Sequence, residues 1–421
     1  MKETIASCPQ GNVLGIEKNG ISRFSAIPFA QAPIGPLRFA CPVPTHWSGT
    51  LDATRPGPVC PQRPSRLEDV MGPFQASQNE DCLHLTVWTP RADNQQRPVL
   101  IWLHGGAYQS GGGAISWYDG SALARKGNLV VVSPNYRLGA LGWLYVPGEV
   151  ANLGILDQEA AIEWVIENIE AFGGDPEQIT LMGQSAGGAS IAALLARKPK
   201  FQRALIQSAA LGRGFRPAKD AAQLGSAILD AAGVESLAAA RNLSVNELLD
   251  AQHSHAVMQA LQTEATGRSI FCPVLDGDIL PAETDTDSQA PESKVNVLIG
   301  YTRNEMTAFP GMERNEDCLR LGQTVFGSAS LDWAAKATAA GRQAWSYRFD
   351  YGPNPKYGAC HCIELPFIFD TFSSFEGAPM LDNSERSDLQ ALTNTLQSAW
   401  INFIRDGYAP WQKYPYIRYF N

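Results

Sequence analysis

Residues 183–187, Gly183-Gln184-Ser185-Ala186-Gly187, form a G-x-S-x-G stretch. A short, partly β-branched apolar run, Ile179-Thr180-Leu181-Met182, precedes it, and residues 189–195, rich in good helix formers, follow. A serine caught between a strand and a helix must occupy a sharp, strained turn. That turn lifts its Oγ above the sheet and aims the following backbone N–H groups at the same point. Glycine at 183 and 187 lets the strand and helix backbones pass closely. The positive end of the helix favours negative charge developing on a substrate oxygen. These are the needs of nucleophilic acyl transfer. A chance Gly-Ser turn is the plain competing reading, and the flanking strand and helix weigh against it. A second stretch, His104-Gly105-Gly106-Ala107-Tyr108 with Gly111-Gly112-Gly113, follows the continuous apolar run at 99–103. Such a loop can turn backbone N–H groups toward a ligand. It lacks the Lys-Ser or Lys-Thr of a phosphate cradle, so an oxyanion-binding loop is the better reading.

A serine nucleophile needs a base to take its proton and an acid to fix that base in the right tautomer. Where a serine sits on a strand-to-helix turn, acid and base follow it in the chain. That order removes His46, His84 and His104. His253 and His255 fall on a helical insertion, whereas His361 follows a core strand, where the base belongs; its plain alternative is a buried, satisfied histidine. Glu305, just beyond a strand ending at Gly300, is the favoured acid. Asp276 and Asp278 compete from a turn where aspartate is ordinary turn chemistry. Glu364 lies too close to His361 along the chain to reach back easily to Nδ1.

The elements that must position these groups alternate. Turn-punctuated residues 11–27 predict a small antiparallel sheet at the N-terminus. Buried strands are predicted at 99–103, 129–133, 179–182, 204–207, 295–300 and 344–350. Ile162, Val165, Ile166 and Ile169 fall at helical spacing and predict a helix over 158–172, stopped by Gly173-Gly174. Asp175-Pro176 is expected to turn the chain into the serine strand. A last amphipathic helix spans 389–405, with Leu392, Leu396, Trp400 and Phe403 along one side. This alternation predicts an α/β fold, a mostly parallel sheet covered by helices on both faces. Residues 211–265 change character: they are alanine-rich and helical, with Ser244 to Glu247 as a capping box. We read 1–421 as a single domain, with 211–290 as a helical insertion covering the active site.

Composition sets the outer limits. With 421 residues and 44% hydrophobic content, a large core can form. A net charge of -9 and a pI near 5.3 argue against a nucleic-acid partner or an anionic membrane surface. No apolar run approaches the ~20 residues that span a bilayer. The N-terminal residues lack the apolar core of a secretory signal, which predicts a cytoplasmic protein, or a secreted one whose signal has been removed. Eight cysteines are too sparse for a disulfide scaffold and show no C-x-x-C spacing. No metal or cofactor is called for.

The motifs FSAIPFAQAP, GPLRF, EDCLHLTVW, HGGAY, NYRLGALGWL, NLGILDQ, FGGDPEQITLMGQSAGGAS, the G-x-T-R-N-E at Gly300 and HCIELPFIF resemble those of the type B carboxylesterase family. That family includes the cholinesterases and bacterial para-nitrobenzyl esterases, and the resemblance covers nearly the whole chain. It implies an α/β-hydrolase fold and a serine carboxylesterase acting on small-molecule esters without cofactor. It carries the nucleophile onto Ser185, the acid onto Glu305 and the base onto His361. The oxyanion-hole amides fall on Gly106, Ala107 and Ala186. It also implies pairing of Cys60 with Cys82, so the two are expected within bridging distance whatever their redox state. Gln184 departs from the glutamate usual in the family. We therefore expect small to medium neutral esters, and a Gln184→Glu variant that gains on cationic, choline-like esters. The chain is also shorter than typical members between Glu305 and His361 and after Ser208, which predicts a more open pocket. Cys360 and Cys362 flank His361, but neighbouring side chains of an extended segment point apart, which disfavours a metal or redox site there. A non-catalytic adhesion module, whose relatives lose the triad, and an amidase or carbamate hydrolase using the same machinery remain the alternatives.

Overall fold

The computed structural model describes residues 2–262, 267–282, 294–382, 384 and 386–421. Its frame is a sheet that begins with β1 (Lys2–Cys8), β2 (Gly11–Lys18), β3 (Ile21–Pro28), β4 (Thr50–Asp52) and β5 (His84–Thr89). It continues through β6 (Arg97–Leu103), β7 (Val130–Pro134), β8 (Gly174–Gln184) and β9 (Arg203–Gln207). Two short strands, β10 (Arg216–Pro217) and β11 (Val274–Leu275), pair apart from it. The sheet closes with β12 (Asn296–Thr302), β13 (Ala344–Phe349) and β14 (Ile417–Phe420). Among the described residues it holds 12 strands in the order β1-β2-β3-β5-β7-β6-β8-β9-β12-β13-β14, with β4 beside β2. From β7 onward every neighbouring pair is parallel. The N-terminal antiparallel strands are not a separate layer: β3 pairs with β5 and β5 with β7, so they are the edge of the same sheet.

The parallel strands are buried on both faces, as their unbroken apolar runs predict: all of β7 and residues 99–103 of β6 are buried. Truncating Leu100, Ile101 or Leu103 to alanine would cost about 2–5 kcal/mol. Helices cover both faces. The one expected over 158–172 starts earlier, at Leu153, and its last turn tightens to a 3-10 turn over Ile169–Phe172. Its start was hidden in the sequence because no side chain caps it at Asn152 and Asp157 is buried without being apolar. It accepts Nε, Nη2 and the backbone N–H of buried Arg137 at 2.6–3.0 Å. Asp175 and Pro176 fall inside β8 rather than before it, in an irregularity between the Arg97–Gly174 and Val99–Ile179 pairs. The final helix spans Arg386–Asp406 and buries Leu396, Trp400 and Phe403.

The region after Leu211 forms helices at Ala218–Ala231, Leu237–Ala240, Val245–Ala251 and His255–Gln262. Ser244 and Glu247 make the expected reciprocal capping box. His253 lies in the turn between two of these helices rather than on one, because the earlier helix ends at Ala251. Parts of the expected insertion, 263–266 and 283–290, lie outside the described residues.

Candidate active site

Ser185 sits where β8 meets the helix Ala186–Leu195, with φ 57° and ψ −120°. A residue other than glycine held there is strained, and the strain is imposed from both sides. Its N–H donates to the Gln207 carbonyl at the end of β9 (2.8 Å). A Cβ on Gly187 would lie 1.9 Å from the Leu103 carbonyl oxygen, and one on Gly183 would meet the Gly187 carbonyl at 2.6 Å. Both glycines are therefore demanded by close backbone passage, as the spacing predicted.

The loops after β12 and β13 are tied together. Asn304 donates its N–H to the Ala359 carbonyl (2.8 Å) and accepts the Ala359 N–H on Oδ1 (3.0 Å). The His361 N–H reaches the Glu305 carbonyl (3.3 Å). This brings the His361 Nδ1 to 2.5 Å from Glu305 Oε2, both side chains 1% exposed. The other carboxylate oxygen, Oε1, accepts the Thr302 N–H at 2.8 Å, which fixes the rotation of the carboxylate. Phe309 and Phe326 crowd the imidazole, each ring centre 5.2 Å away. With Nδ1–H donated to Glu305, Nε2 is left as the acceptor.

That acceptor faces Gln184, whose Nε2 lies 3.2 Å from His361 Nε2 and 3.2 Å from the Cys362 sulfur. Among the described residues Ser185 and His361 share a cavity wall but no hydrogen bond. Transfer of the serine proton requires Oγ to draw up to Nε2, a contact that commonly tightens only with substrate in place.

The glycine loop turns through three successive residues of positive φ. Gly106 has φ 115°, Ala107 54° and Tyr108 63°. A Cβ on Gly106 would fall 2.0 Å from the Ser110 carbonyl oxygen. The backbone N–H groups of Gly106, Ala107 and Ala186 donate to no protein acceptor among the described residues, and all three residues line the cavity that holds Ser185. Gln62 clamps the loop at Gly111 from both sides (2.6 and 2.8 Å), and Asn135 accepts the Gly113 N–H (2.8 Å). His104 stacks on Tyr136, whose hydroxyl donates to the His104 carbonyl (2.6 Å). Burial pushes the His104 imidazole down to about 4, so it stays neutral. His104, Asn135 and Tyr136 stand in motifs the sequence offered but not as supports, and Gln62 carries no periodic or motif signal.

The competitors fall away on geometry. Asp276 accepts the Ile279 and Leu280 N–H groups (3.0 and 2.8 Å) and Asn152 (3.2 Å), which is turn chemistry. His253 and His255 are both exposed; His253 also lines the cavity, its ring 3.2 Å from the Gln252 side-chain nitrogen. Cys60 and Cys82 are both buried and unbridged, each close enough to the other for their charges to interact. Cys360 and Cys362 are buried thiols, raised well out of the reactive range by burial first and by nearby Glu364 second.

Glu364 is the group that reasoning from sequence underrated. It does not reach Nδ1, yet it is buried with neither oxygen hydrogen-bonded, Gln207 being its polar neighbour. Burial, then the charge of Glu305, push its carboxyl from 4.5 up to about 8. Between those values the folded chain holds a proton that the unfolded chain releases, so this residue's contribution to stability falls as pH rises from 4.5 to about 8. Glu364→Gln, neutral throughout, lacks that slope. Its Tm relative to wild type is expected to be more favourable near pH ~8 than near pH ~5. Equal Tm differences at the two values would contradict the buried, protonated carboxyl.

Comparison with known proteins agrees with the geometry. A family model described as Carboxylesterase family matches residues 2–319. The chain is 35% identical to a para-nitrobenzyl esterase of Bacillus subtilis (strain 168), over 97% of this chain and 91% of that one. It is 36% identical to a probable N-octanoylanthranilate hydrolase of Rhodococcus erythropolis, over 97% and 94%. A solved PNB esterase structure superposes with a TM-score of 0.89 at 32% identity, covering 100% of this chain and 96% of that one. A Geobacillus stearothermophilus carboxylesterase does so at 0.83 and 31%, covering 99% and 96%.

Proposed function

The chain belongs to the carboxylesterase family, and from that premise we propose that Ser185, His361 and Glu305 perform its acyl transfer. It has the α/β-hydrolase fold and is a carboxylic ester hydrolase of the serine type. In the proposed cycle Ser185 Oγ attacks the ester carbonyl carbon while His361 Nε2 takes its proton. The tetrahedral oxygen, now negative, is held by the N–H groups of Gly106, Ala107 and Ala186. Each such donor is typically worth ~3 kcal/mol in the transition state. Collapse expels the alcohol, which leaves with the proton from His361. Water, deprotonated by the same nitrogen, then attacks the acyl-enzyme and releases the acid. Glu305 keeps Nδ1 protonated throughout and stabilises the imidazolium as it forms.

The observation that carries this reading is the buried 2.5 Å contact between His361 and Glu305, on loops that end beside a strained serine and unused amides. The segment 211–290 is part of the proposal as a cover over the site, supported by Leu211, Phe215 and Phe271, which line the cavity. No helix among the described residues is long and apolar enough to cross a membrane. A cytoplasmic setting belongs to the same proposal, supported by the adjacent, unbridged thiols of Cys60 and Cys82. The test is rapid mixing with para-nitrophenyl esters. We expect turnover, with a burst of about one para-nitrophenolate per chain where deacylation is slow. An inert protein, across a range of acyl lengths, would refute the proposal.

A further inference from the structure

The cavity around Ser185 has two lobes. The smaller, of about 70 Å³, runs between Ala189, Leu211, Phe215 and Phe326. The larger, of about 320 Å³, is walled by Met71, Phe74, Trp117 and Tyr118. Ser185 and Ala107 line both, but His361 lines only the larger. The leaving alcohol must receive its proton from His361, so the alcohol belongs in the larger lobe and the acyl chain in the smaller.

Charge at that acyl lobe runs against the rest of the molecule. The chain carries 42 acidic and 33 basic residues. Yet Arg213 lines the smaller lobe alone, Arg66 and Arg268 line both lobes and Arg63 the larger, and among the described residues no aspartate or glutamate lines either lobe. Arg268 is engaged, donating Nε to the Arg213 carbonyl. Arg213 donates Nη1 to the Gly267 carbonyl, while its Nε is buried without a hydrogen-bond partner. Arg66 stands exposed at the cavity mouth with its guanidinium 5.2 Å over the Phe309 ring. Neither Arg66 nor Arg213 meets a carboxylate among the described residues, unlike the structural pair Arg137–Asp157. Crowding by surrounding protein, then the neighbouring Arg213, make the charge on Arg66 costlier than that of an ordinary surface arginine. Burial does the same to Arg213. Neither neighbouring guanidinium meets a carboxylate among the described residues, so a bound anion can take charge-assisted hydrogen bonds from both. Gln184, uncharged beside Ser185, adds no repulsion toward such a ligand.

We propose that the substrate's acyl part carries its own carboxylate: the enzyme favours monoesters of short dicarboxylic acids, with Arg66 and Arg213 holding the distal carboxylate. The proposal rests on the reading of Ser185 and His361 given above. It revises the expectation of neutral esters, which came from Gln184 alone. Arg66 and Arg213 meet only through the fold, one from the loop before β5 and the other from the segment after β9.

Monobenzyl succinate and benzyl isocaproate test it, since they differ mainly in a carboxylate replacing an isopropyl group. Released benzyl alcohol gives kcat/KM for each. Wild type should favour the hemiester about tenfold or more, and the preference should shrink as salt rises. Arg66→Gln and Arg213→Gln should each lower the ratio, and the double variant should bring it near one. Arg213→Lys, which keeps the charge, should retain most of the preference and guards against a mere folding defect. Arg66→Glu should reverse it. A wild-type enzyme that hydrolyses the isocaproate as well as or better than the hemiester overturns the proposal while leaving the esterase reading intact. An unchanged ratio in the double variant, with both rates lowered together, overturns it as well, because the arginines would then act on the oxyanion of any ester. Failure on both esters, without labelling by a fluorophosphonate, would sink the esterase reading and the proposal with it.

Discussion

Glu305→Gln is expected to lower kcat between about a thousandfold and ten-thousandfold while KM changes little. The reason is tautomeric. Oε1 of Glu305 accepts the Thr302 N–H, so a glutamine would keep its carbonyl oxygen on that side and turn its NH2 toward His361 Nδ1. An NH2 facing Nδ1 forces that nitrogen to accept, which moves the imidazole proton to Nε2. The nitrogen meant to take the serine proton would then already carry one. The variant should still bind ester, and its structure should be unchanged, because the substitution is isosteric. Steady-state kinetics with a para-nitrophenyl ester give the split between kcat and KM. A variant within about tenfold of wild type would mean that Glu305 does not set the tautomer.

Replacing His361 with alanine removes the proposed base, and kcat should fall on the order of a thousandfold or more. The oxyanion donors belong to the backbone and survive the change, so residual turnover above the uncatalysed rate is expected. His253→Ala and His255→Ala are the controls. Both are exposed, and His253, which lines the larger lobe, can affect KM. Neither is placed to accept the serine proton. The comparison is kcat for the three variants, with folding checked by circular dichroism. If His361→Ala kept more than about a tenth of wild-type kcat while either control did not, the base would be misassigned, and Glu305 with it.

The contrast between what could and could not be read from sequence follows the range of the forces involved. Ser185 was legible because its constraint is local: a strand, a strained turn and two glycines with no room for Cβ, all within a few residues. Glu305 and His361 were legible as loop residues just past buried strands, since apolar runs locate the strands and the loops follow. The helix at Leu153 begins before its expected start because no capping side chain marks its beginning and an ion pair at Asp157 interrupts its buried apolar positions. The contact between Gln184 and His361, the stitching by Asn304 and the uncompensated burial of Glu364 all depend on side chains from different loops. No periodicity announces such meetings. The arginines beside Ser185 are the extreme case. Each reads in sequence as an ordinary solvated charge, and only the fold brings Arg66 and Arg213 to one cavity that no carboxylate among the described residues lines.

The central claim is that Ser185 becomes covalently acylated. The most direct measurement is to treat the protein with a fluorophosphonate, digest it and locate the adduct by mass spectrometry, beside the same treatment of Ser185→Ala. One adduct per chain is expected, on the peptide containing Ser185, with esterase activity lost in proportion to labelling and no adduct in the variant. An adduct on another residue, or esterase activity that persists in a fully labelled protein or in Ser185→Ala, would contradict it.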